Sequence, residues 1–143
     1  MEIRNINNDI KVFYVKAESF PNGIKAAHEK LHSLLPSAEG RRFFGISYQG
    51  SNGNIIYKAA AEELQKGESE KYGCETFIIK KGEYISETLN DWQKDKGQVD
   101  RTFKKLLADP RLDENGYCLE MYPNEKDMMC MVKLDSSKED RKA

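Results

Sequence analysis

The order of apolar and polar residues predicts one strand and one amphipathic helix near the start of the chain. Residues 11–19 have the composition of a strand, and residues 23–35 place their apolar positions along one helical stripe. Pro36 ends the helix, and Asn22 is expected to cap its amino end because a short polar side chain can accept from the first free backbone N–H groups.

A predicted hairpin follows the helix. Residues 42–49 and 54–63 are rich in residues that favour strands, and the Gly-Ser-Asn-Gly sequence at 50–53 has the composition of a hairpin turn. A charged connector then runs over residues 64–73. The first half of the chain therefore reads strand, helix, strand, strand.

The second half repeats that order. Residues 74–85 predict a strand with a bulge or turn at Gly82, and residues 87–108 are predicted to be helical in parts. Residues 117–123 and 127–134 predict a second strand pair. The helix has a core stripe at intervals of four, three and one residues, formed by Val99, Phe103, Leu106 and Leu107.

These elements predict an α+β fold within one domain spanning residues 1–143. Two strand–helix–strand–strand modules, at about 10–63 and 74–134, precede a polar tail at 135–143. With both helices on one face of a sheet, the other face must be solvated or covered by something else. An aromatic-rich open face would suit a ligand.

Composition excludes several classes of protein. Hydrophobic residues make up 38% and charged residues 33%, and no apolar run is long enough to span a bilayer or to serve as a secretory signal. The net charge is −1, with no basic excess in either half, so no nucleic-acid footprint is visible. The three cysteines, Cys74, Cys118 and Cys130, form no CxxC pair and indicate a reducing cytoplasm.

One segment has the amino-acid sequence of a zinc-binding motif. His28-Glu29-Lys30-Leu31-His32 is an H-E-x-x-H sequence on the predicted helix, with the spacing that zinc hydrolases use. Lys30 places a cation inside the motif, no third histidine exists, and both histidines are expected at the solvent edge of the apolar stripe. We therefore expect no metal site, and a zinc hydrolase stays a remote alternative.

Glu120 is the candidate functional carboxylate. Alternation along residues 117–123 puts Leu119 and Met121 on one face and Cys118, Glu120 and Tyr122 on the other. If the apolar pair faces the helices, Glu120 points to the open face beside an aromatic ring. A carboxylate among rings attracts organic cations, and in such a pocket it could also act as a general acid or base. The alternative is an ordinary surface glutamate.

Several short segments resemble a known family. They are Gly82-x-Tyr84, Glu120-Met121-Tyr122, and the stretches Gly40–Tyr48, Tyr57–Ala61 and Asp109–Tyr122. In order and spacing the chain resembles the gyrase-inhibitor-like (GyrI-like) small-molecule-binding domains, which are similar to the effector-binding domains of AraC- and MerR-type transcription regulators. The likeness to a stand-alone bacterial form covers about residues 10–134.

The resemblance implies two modules related by a pseudo-twofold, with one concave antiparallel sheet and helices on the opposite face. It implies multidrug binding, in which diverse and often cationic apolar compounds occupy an aromatic groove with a central carboxylate. That carboxylate maps to Glu120, and Tyr122, Tyr57, Tyr84 and Trp92 are the further candidate ligand-binding residues. Some family members are hydrolases of electrophilic toxins, so such a hydrolase using Glu120 is the main alternative.

The chain departs from the regulators of that family because it contains no helix-turn-helix segment. We expect no direct binding to nucleic acid and no membrane association, and any role in transcription would need a protein partner. No cofactor is expected. The leading hypothesis is a cytoplasmic module that binds small organic molecules, and enzymatic activity stays open.

Overall fold

The structure of the protein is a computed structural model, and it describes residues 1–37, 39–135 and 137. Most of the predicted polar tail at 135–143 lies outside the described residues. Within them the chain forms eight strands, three α-helices and one 3-10 turn at Trp92–Asp95. The elements are β1 (Glu2–Ile6), β2 (Ile10–Lys16), α1 (Ile24–Leu34), β3 (Phe43–Gln49), β4 (Ile55–Glu62), α2 (Glu68–Lys71), β5 (Glu75–Ile79), β6 (Gly82–Leu89), α3 (Gly97–Leu107), β7 (Cys118–Met121) and β8 (Met128–Lys133).

The chain divides into two compact units. The first unit is Asp9–Ile79, and the second unit is Met1–Asn8 together with the chain from Lys80 onward. The first contains the order β2-α1-β3-β4 and the second contains β6-α3-β7-β8, so both have the predicted strand–helix–strand–strand sequence. All strand pairs within each unit are antiparallel, which confirms the α+β class.

In the first unit the strands lie in the order β3-β4-β2-β5, with α1 packed on one face. The buried helix residues Ala27 and Leu31 contact a cluster that includes Phe13, Ala59 and Ala61. The predicted hairpin is confirmed, and the N–H of Gly50 donates to the carbonyl of Asn54 at 2.7 Å to close its turn.

The face of this sheet opposite α1 is buried as well. Val12, Phe44, Ile46 and Ala60 alternate with the residues that face the helix, and each of them is 0% exposed. Of the two alternatives that the sequence left open for this face, solvated or covered, these four positions are covered. Apolar alternation could not reveal this, because both sets of positions along these strands are apolar.

In the second unit the strands lie in the order β1-β6-β8-β7, and α3 packs on β6 and β8. Leu106 of α3 meets a cluster that includes Ile85, Cys130 and Val132. Sequence analysis did not predict β1, whose five residues are mostly exposed and carry no clear alternation. It pairs antiparallel with β6 at the edge of the sheet.

Two predicted boundaries were wrong. The stretch 74–85 is two strands instead of one. The predicted break at Gly82 is confirmed: Gly82 adopts φ +138°, a conformation open to glycine, and starts β6 in the second unit. Helix α1 begins after Gly23 with no side-chain cap, so Asn22 does not cap it.

The connector between β4 and β5 is held by a buried ion pair. Arg41 donates from Nη1 to Glu68 Oε1 at 3.0 Å and from Nη2 to Oε2 at 2.8 Å, and the two side chains are 7% and 11% exposed. The N–H groups of Leu64 and Gln65 also donate to Glu68 Oε1. These bonds, first that of Arg41, lower the pKa of Glu68 to about 2.

Helix α3 supplies a matched pair of leucines for testing the packing. Leu106 is 0% exposed and Leu107 is 49% exposed. We expect Leu106→Ala to lower the free energy of unfolding by about 2–5 kcal/mol, because a buried cavity remains. Leu107→Ala should change it by about 0.5 kcal/mol or less. Urea unfolding of both variants measures the difference, and equal losses would contradict the orientation of α3.

Candidate functional site

Glu120 lies on the face of the second unit's sheet that α3 covers. In the strand register Glu120 is opposite Cys130 of β8, and Cys130 is opposite Glu87 of β6, so the three side chains share one face. Cys130 belongs to the core cluster under α3, and Cys118 and Tyr122 pack against that cluster.

The predicted direction of Glu120 was therefore wrong. Leu119 and Met121, which were assigned to the helix side, lie on the opposite face with Met129 and Met131. The opposite face is also buried, since Leu119 is 0% and Met131 is 2% exposed. Alternation showed correctly which residues share a face, but it could not show which face carries the helix.

The Glu120 carboxylate is hydrogen-bonded to Tyr122, and the Tyr122 ring in turn lies against Trp92. The Tyr122 hydroxyl donates to Glu120 Oε1 at 2.5 Å, and the two residues are two apart in the sequence. The ring of Trp92 lies 6.2 Å from that of Tyr122, with 45° between their planes. The N–H of Trp92 donates to the carbonyl of Lys126, which ties the 3-10 turn to the β7–β8 turn. Three of the five candidate residues thus come together.

The thiol of Cys130, which lies opposite Glu120, is unreactive at neutral pH. Burial, and to a smaller extent the negative charges of Glu120 and Glu87, raise the pKa of Cys130 to about 12. Burial also raises the pKa of Cys74. Both groups are protonated at neutral pH, so neither is a ready nucleophile.

A groove that sequence analysis missed lies between β6 and α3. It has a volume of about 280 Å³ and is lined by Glu87, Leu89, Gln98, Arg101, Thr102 and Lys105. Lys105 Nζ lies 2.6 Å from Glu87 Oε1, and Arg101 pairs with Asp95 at 2.7 Å, so the charges on its walls are matched within the unit. Sequence analysis missed this groove because charged residues four apart on a helix, such as Arg101 and Lys105, are also typical of an ordinary solvent-exposed helix face.

Tyr84 lies on the other face of the same sheet. It is 0% exposed. Tyr84 pairs with Lys133 of β8, which points to the face opposite Cys130, so Tyr84 and Glu120 lie on opposite faces of the sheet. The Tyr84 hydroxyl donates to the carbonyl of Lys80 at 2.7 Å and shares a 2.8 Å hydrogen bond with the hydroxyl of Tyr117. The structure does not group Tyr84 with Glu120, and its predicted role in ligand binding stays a prediction.

Tyr57 belongs to the first unit and is 1% exposed. Its hydroxyl shares a 2.8 Å hydrogen bond with His28 Nε2, and the exposed ring of Phe20 stacks on it at 6.2 Å. Tyr57 thus joins an aromatic cluster on the α1 side of its own sheet.

The two histidines of the H-E-x-x-H segment have different surroundings. His32 is exposed and stacks on Phe43 at 4.3 Å, whereas His28 is half-buried against Tyr57. The prediction that both face solvent was right for His32 and wrong for His28. In the described ranges no three His, Cys, Asp or Glu side chains are grouped to hold a metal ion.

None of the helices in the described part of the chain has the length and apolar content needed to cross a bilayer.

The burial of His28 predicts a pH effect on stability. Burial, and secondarily the charge of His32, lower the pKa of His28 from 6.5 to about 4. Above pH 6.5 the ring is neutral in both the folded and unfolded states. As the pH falls from 6.5 to 4 the unfolded chain binds the proton first, so this group lowers stability by at most about 3 kcal/mol.

We expect His28→Gln to lose less stability than the wild type between pH 6.5 and 4 in urea unfolding. His32→Gln changes the exposed ring one turn away and should follow the wild type. If the free energy of unfolding of His28→Gln depends on pH as strongly as that of the wild type, His28 is not the source of the pH effect.

Comparison with known proteins identifies the fold. No family model matches the chain, and a search of curated proteins finds no match. An integron cassette protein from the mobile metagenome of Vibrio cholerae has a TM-score of 0.71 at 13% identity, over 94% of this chain and 95% of that chain. The structure of SAV2435 bound to tetraphenylphosphonium has a TM-score of 0.65 at 9% identity, over 96% and 94%.

A hydrolase from Listeria innocua has a TM-score of 0.59 at 8% identity, over 94% of this chain and 92% of that chain. At these identities the matches establish a shared fold. That fold is consistent with the GyrI-like small-molecule-binding fold that the sequence resembles.

Proposed function

We propose that this protein binds small apolar organic cations, with the Glu120 carboxylate as the group that recognises the charge. The observation that carries the proposal is the cluster of Glu120, Tyr122 and Trp92, a half-buried carboxylate held by a phenol beside an indole. The proposal is supported by the shared fold with SAV2435, which was solved with the apolar cation tetraphenylphosphonium.

The chemistry of the cluster suits such a ligand. An organic cation loses little hydration when it leaves water, so a half-buried carboxylate can attract it without a large desolvation cost. Each ring face can add a cation–π attraction of roughly 0.5–2 kcal/mol. Apolar ligand surface adds about 25 cal/mol for each Å² removed from water, before the cost of ordering the ligand is subtracted.

The Tyr122 hydrogen bond prepares the carboxylate for this role. A charged carboxylate accepts hydrogen bonds, and the bond from Tyr122 fixes its orientation. Orientation fixed before binding reduces the entropy lost on binding. The resemblance to effector-binding domains extends the proposal to a sensing role in which a transcription partner detects the bound ligand.

A hydrolase using the same carboxylate is the second candidate, favoured by the fold shared with the Listeria innocua hydrolase. In this alternative Glu120 would accept a proton from a water molecule as the water attacks an electrophilic carbon. For a strained epoxide a carbon–oxygen bond to water forms as the ring carbon–oxygen bond breaks, and the released alkoxide takes up a proton equivalent to the one that Glu120 accepted from the water.

The single tryptophan gives a direct binding assay, because Trp92 lies beside the proposed site. Tetraphenylphosphonium should change its fluorescence, and Glu120→Gln should weaken that binding about tenfold or more, since a lost charge interaction of about 1.4 kcal/mol is tenfold in affinity. Neutral triphenylphosphine oxide should lose less than about threefold by the same logic.

Glu125→Gln is the matched control, because Glu125 is an exposed glutamate in the turn between β7 and β8. It should leave both affinities unchanged. Equal weakening of the cation and the neutral oxide by Glu120→Gln would remove Glu120 from the proposed role.

Mass spectrometry separates binding from hydrolysis. We expect the wild type to return trans-stilbene oxide, an apolar strained electrophile, without forming the diol above the buffer rate. Diol formation that Glu120→Gln abolishes would instead establish the hydrolase.

A further inference from the structure

Lys58 is a buried lysine in β4 of the first unit. The residue is 8% exposed and stands within the buried run from Tyr57 to Ala61. A buried ammonium needs compensation, because burial removes its hydration. In the part of the chain that the structure describes, no carboxylate forms an ion pair with Lys58.

Three aromatic rings surround this ammonium instead. Lys58 Nζ lies 4.3 Å from the ring centre of Tyr14, 4.9 Å from that of Tyr48 and 5.0 Å from that of Phe77. All three distances are within the range at which a ring face attracts a cation. We refer to Tyr14, Tyr48 and Phe77 as the ring cage.

The ring cage is built by the sheet. Tyr48 comes from β3, Tyr14 from β2 and Phe77 from β5, so with Lys58 of β4 every strand of the first unit's sheet contributes one side chain. The Tyr14 hydroxyl donates to Glu75 Oε2 at 2.8 Å and also hydrogen-bonds with Lys58, so that ring is held by Glu75 as well as by the lysine. The ladder hydrogen bonds hold the rings in place, so the cage should persist when the Lys58 side chain is shortened.

The ring cage is separate from the cluster around Tyr57. Adjacent residues of a strand point to opposite faces, so Lys58 lies on the face away from α1 while Tyr57 lies on the α1 side. All three rings are half-buried, which places the cage near the protein surface.

We propose that the ring cage is a cation-binding site for alkylammonium groups, and that Lys58 occupies it as an internal ligand. Ring faces favour alkylated ammonium groups, which are weakly hydrated, over small inorganic cations. Because the lysine is tethered, its effective concentration excludes external cations from the wild type. An external alkylammonium compound binds once the lysine side chain is removed.

Lys58→Ala tests the site with a matched pair of probes, choline and 3,3-dimethyl-1-butanol, which differ by the charge on the quaternary centre. We expect choline, at ten times its dissociation constant, to raise the Tm of Lys58→Ala by about 4 °C. The neutral alcohol should not raise it. In the wild type and in Lys16→Ala, which removes the exposed cross-strand neighbour, choline should have no effect beyond that of the alcohol.

Two further variants sharpen the result. Phe77→Leu in the Lys58→Ala background should reduce the choline shift, because one ring is lost. Lys58→Met fills the cage with a neutral chain and should show no choline shift. Equal shifts from choline and the alcohol in Lys58→Ala, or no shift from either, would overturn the proposal.

If Lys58→Ala does not fold, the reactivity of the Lys58 amine in the wild type tests whether the ring cage encloses it. Reductive methylation with formaldehyde should leave the Lys58 amine unmodified while the exposed Lys16 reacts. A Lys58 amine that reacts as fast as Lys16 would show that the ring cage does not enclose it. None of these readouts involves Glu120, so this proposal and the proposed function can fail separately.

Discussion

The pairing of β7 with β8 decides what Glu120 can do. In the observed register Glu120 stands opposite Cys130 and beside Tyr122, whose hydroxyl bonds its carboxylate. A shift of one residue would turn Glu120 to the face of Met129 and Met131, where the side chains are apolar and buried. A carboxylate there would lose its hydration among apolar side chains, which costs several kcal/mol. The register is therefore specified by the charge as well as by the apolar residues.

Local patterns in the sequence were enough to find most of the elements. The apolar stripe predicted α1, and the Gly-Ser-Asn-Gly turn predicted the hairpin of β3 and β4, because these signals depend on neighbours in sequence. The same reasoning missed β1 and merged β5 with β6. An exposed edge strand has no apolar face to reveal it, and the φ of Gly82 is a property of the folded backbone.

The candidate site was predictable in part for a related reason. Alternation placed Glu120 and Tyr122 together correctly, since residues two apart share a face. It could not place them under α3, because both faces of the sheet bury apolar side chains and each looks like a core face. Tyr84 went to the opposite face for the same reason. The sequence pattern predicts which residues of a strand share a face, whereas the face that a helix covers depends on long-range packing.

The first unit shows two solutions to burying a cation, and their difference bears on ligand choice. Arg41 is matched by Glu68 through two directed hydrogen bonds, which suits a planar guanidinium. Lys58 is matched by three ring faces and by the hydroxyl of Tyr14, without an ion pair to a carboxylate in the described residues. The rings attract a cation without demanding hydrogen-bond donors, so they tolerate methyl groups that the carboxylate of Glu68 would not reward. Glu120 with Tyr122 and Trp92 combines both elements, a charge and ring faces. For the proposed binding function, that combination is the reason to expect cations with a delocalised or shielded charge on an apolar body in preference to hydrated ammonium ions.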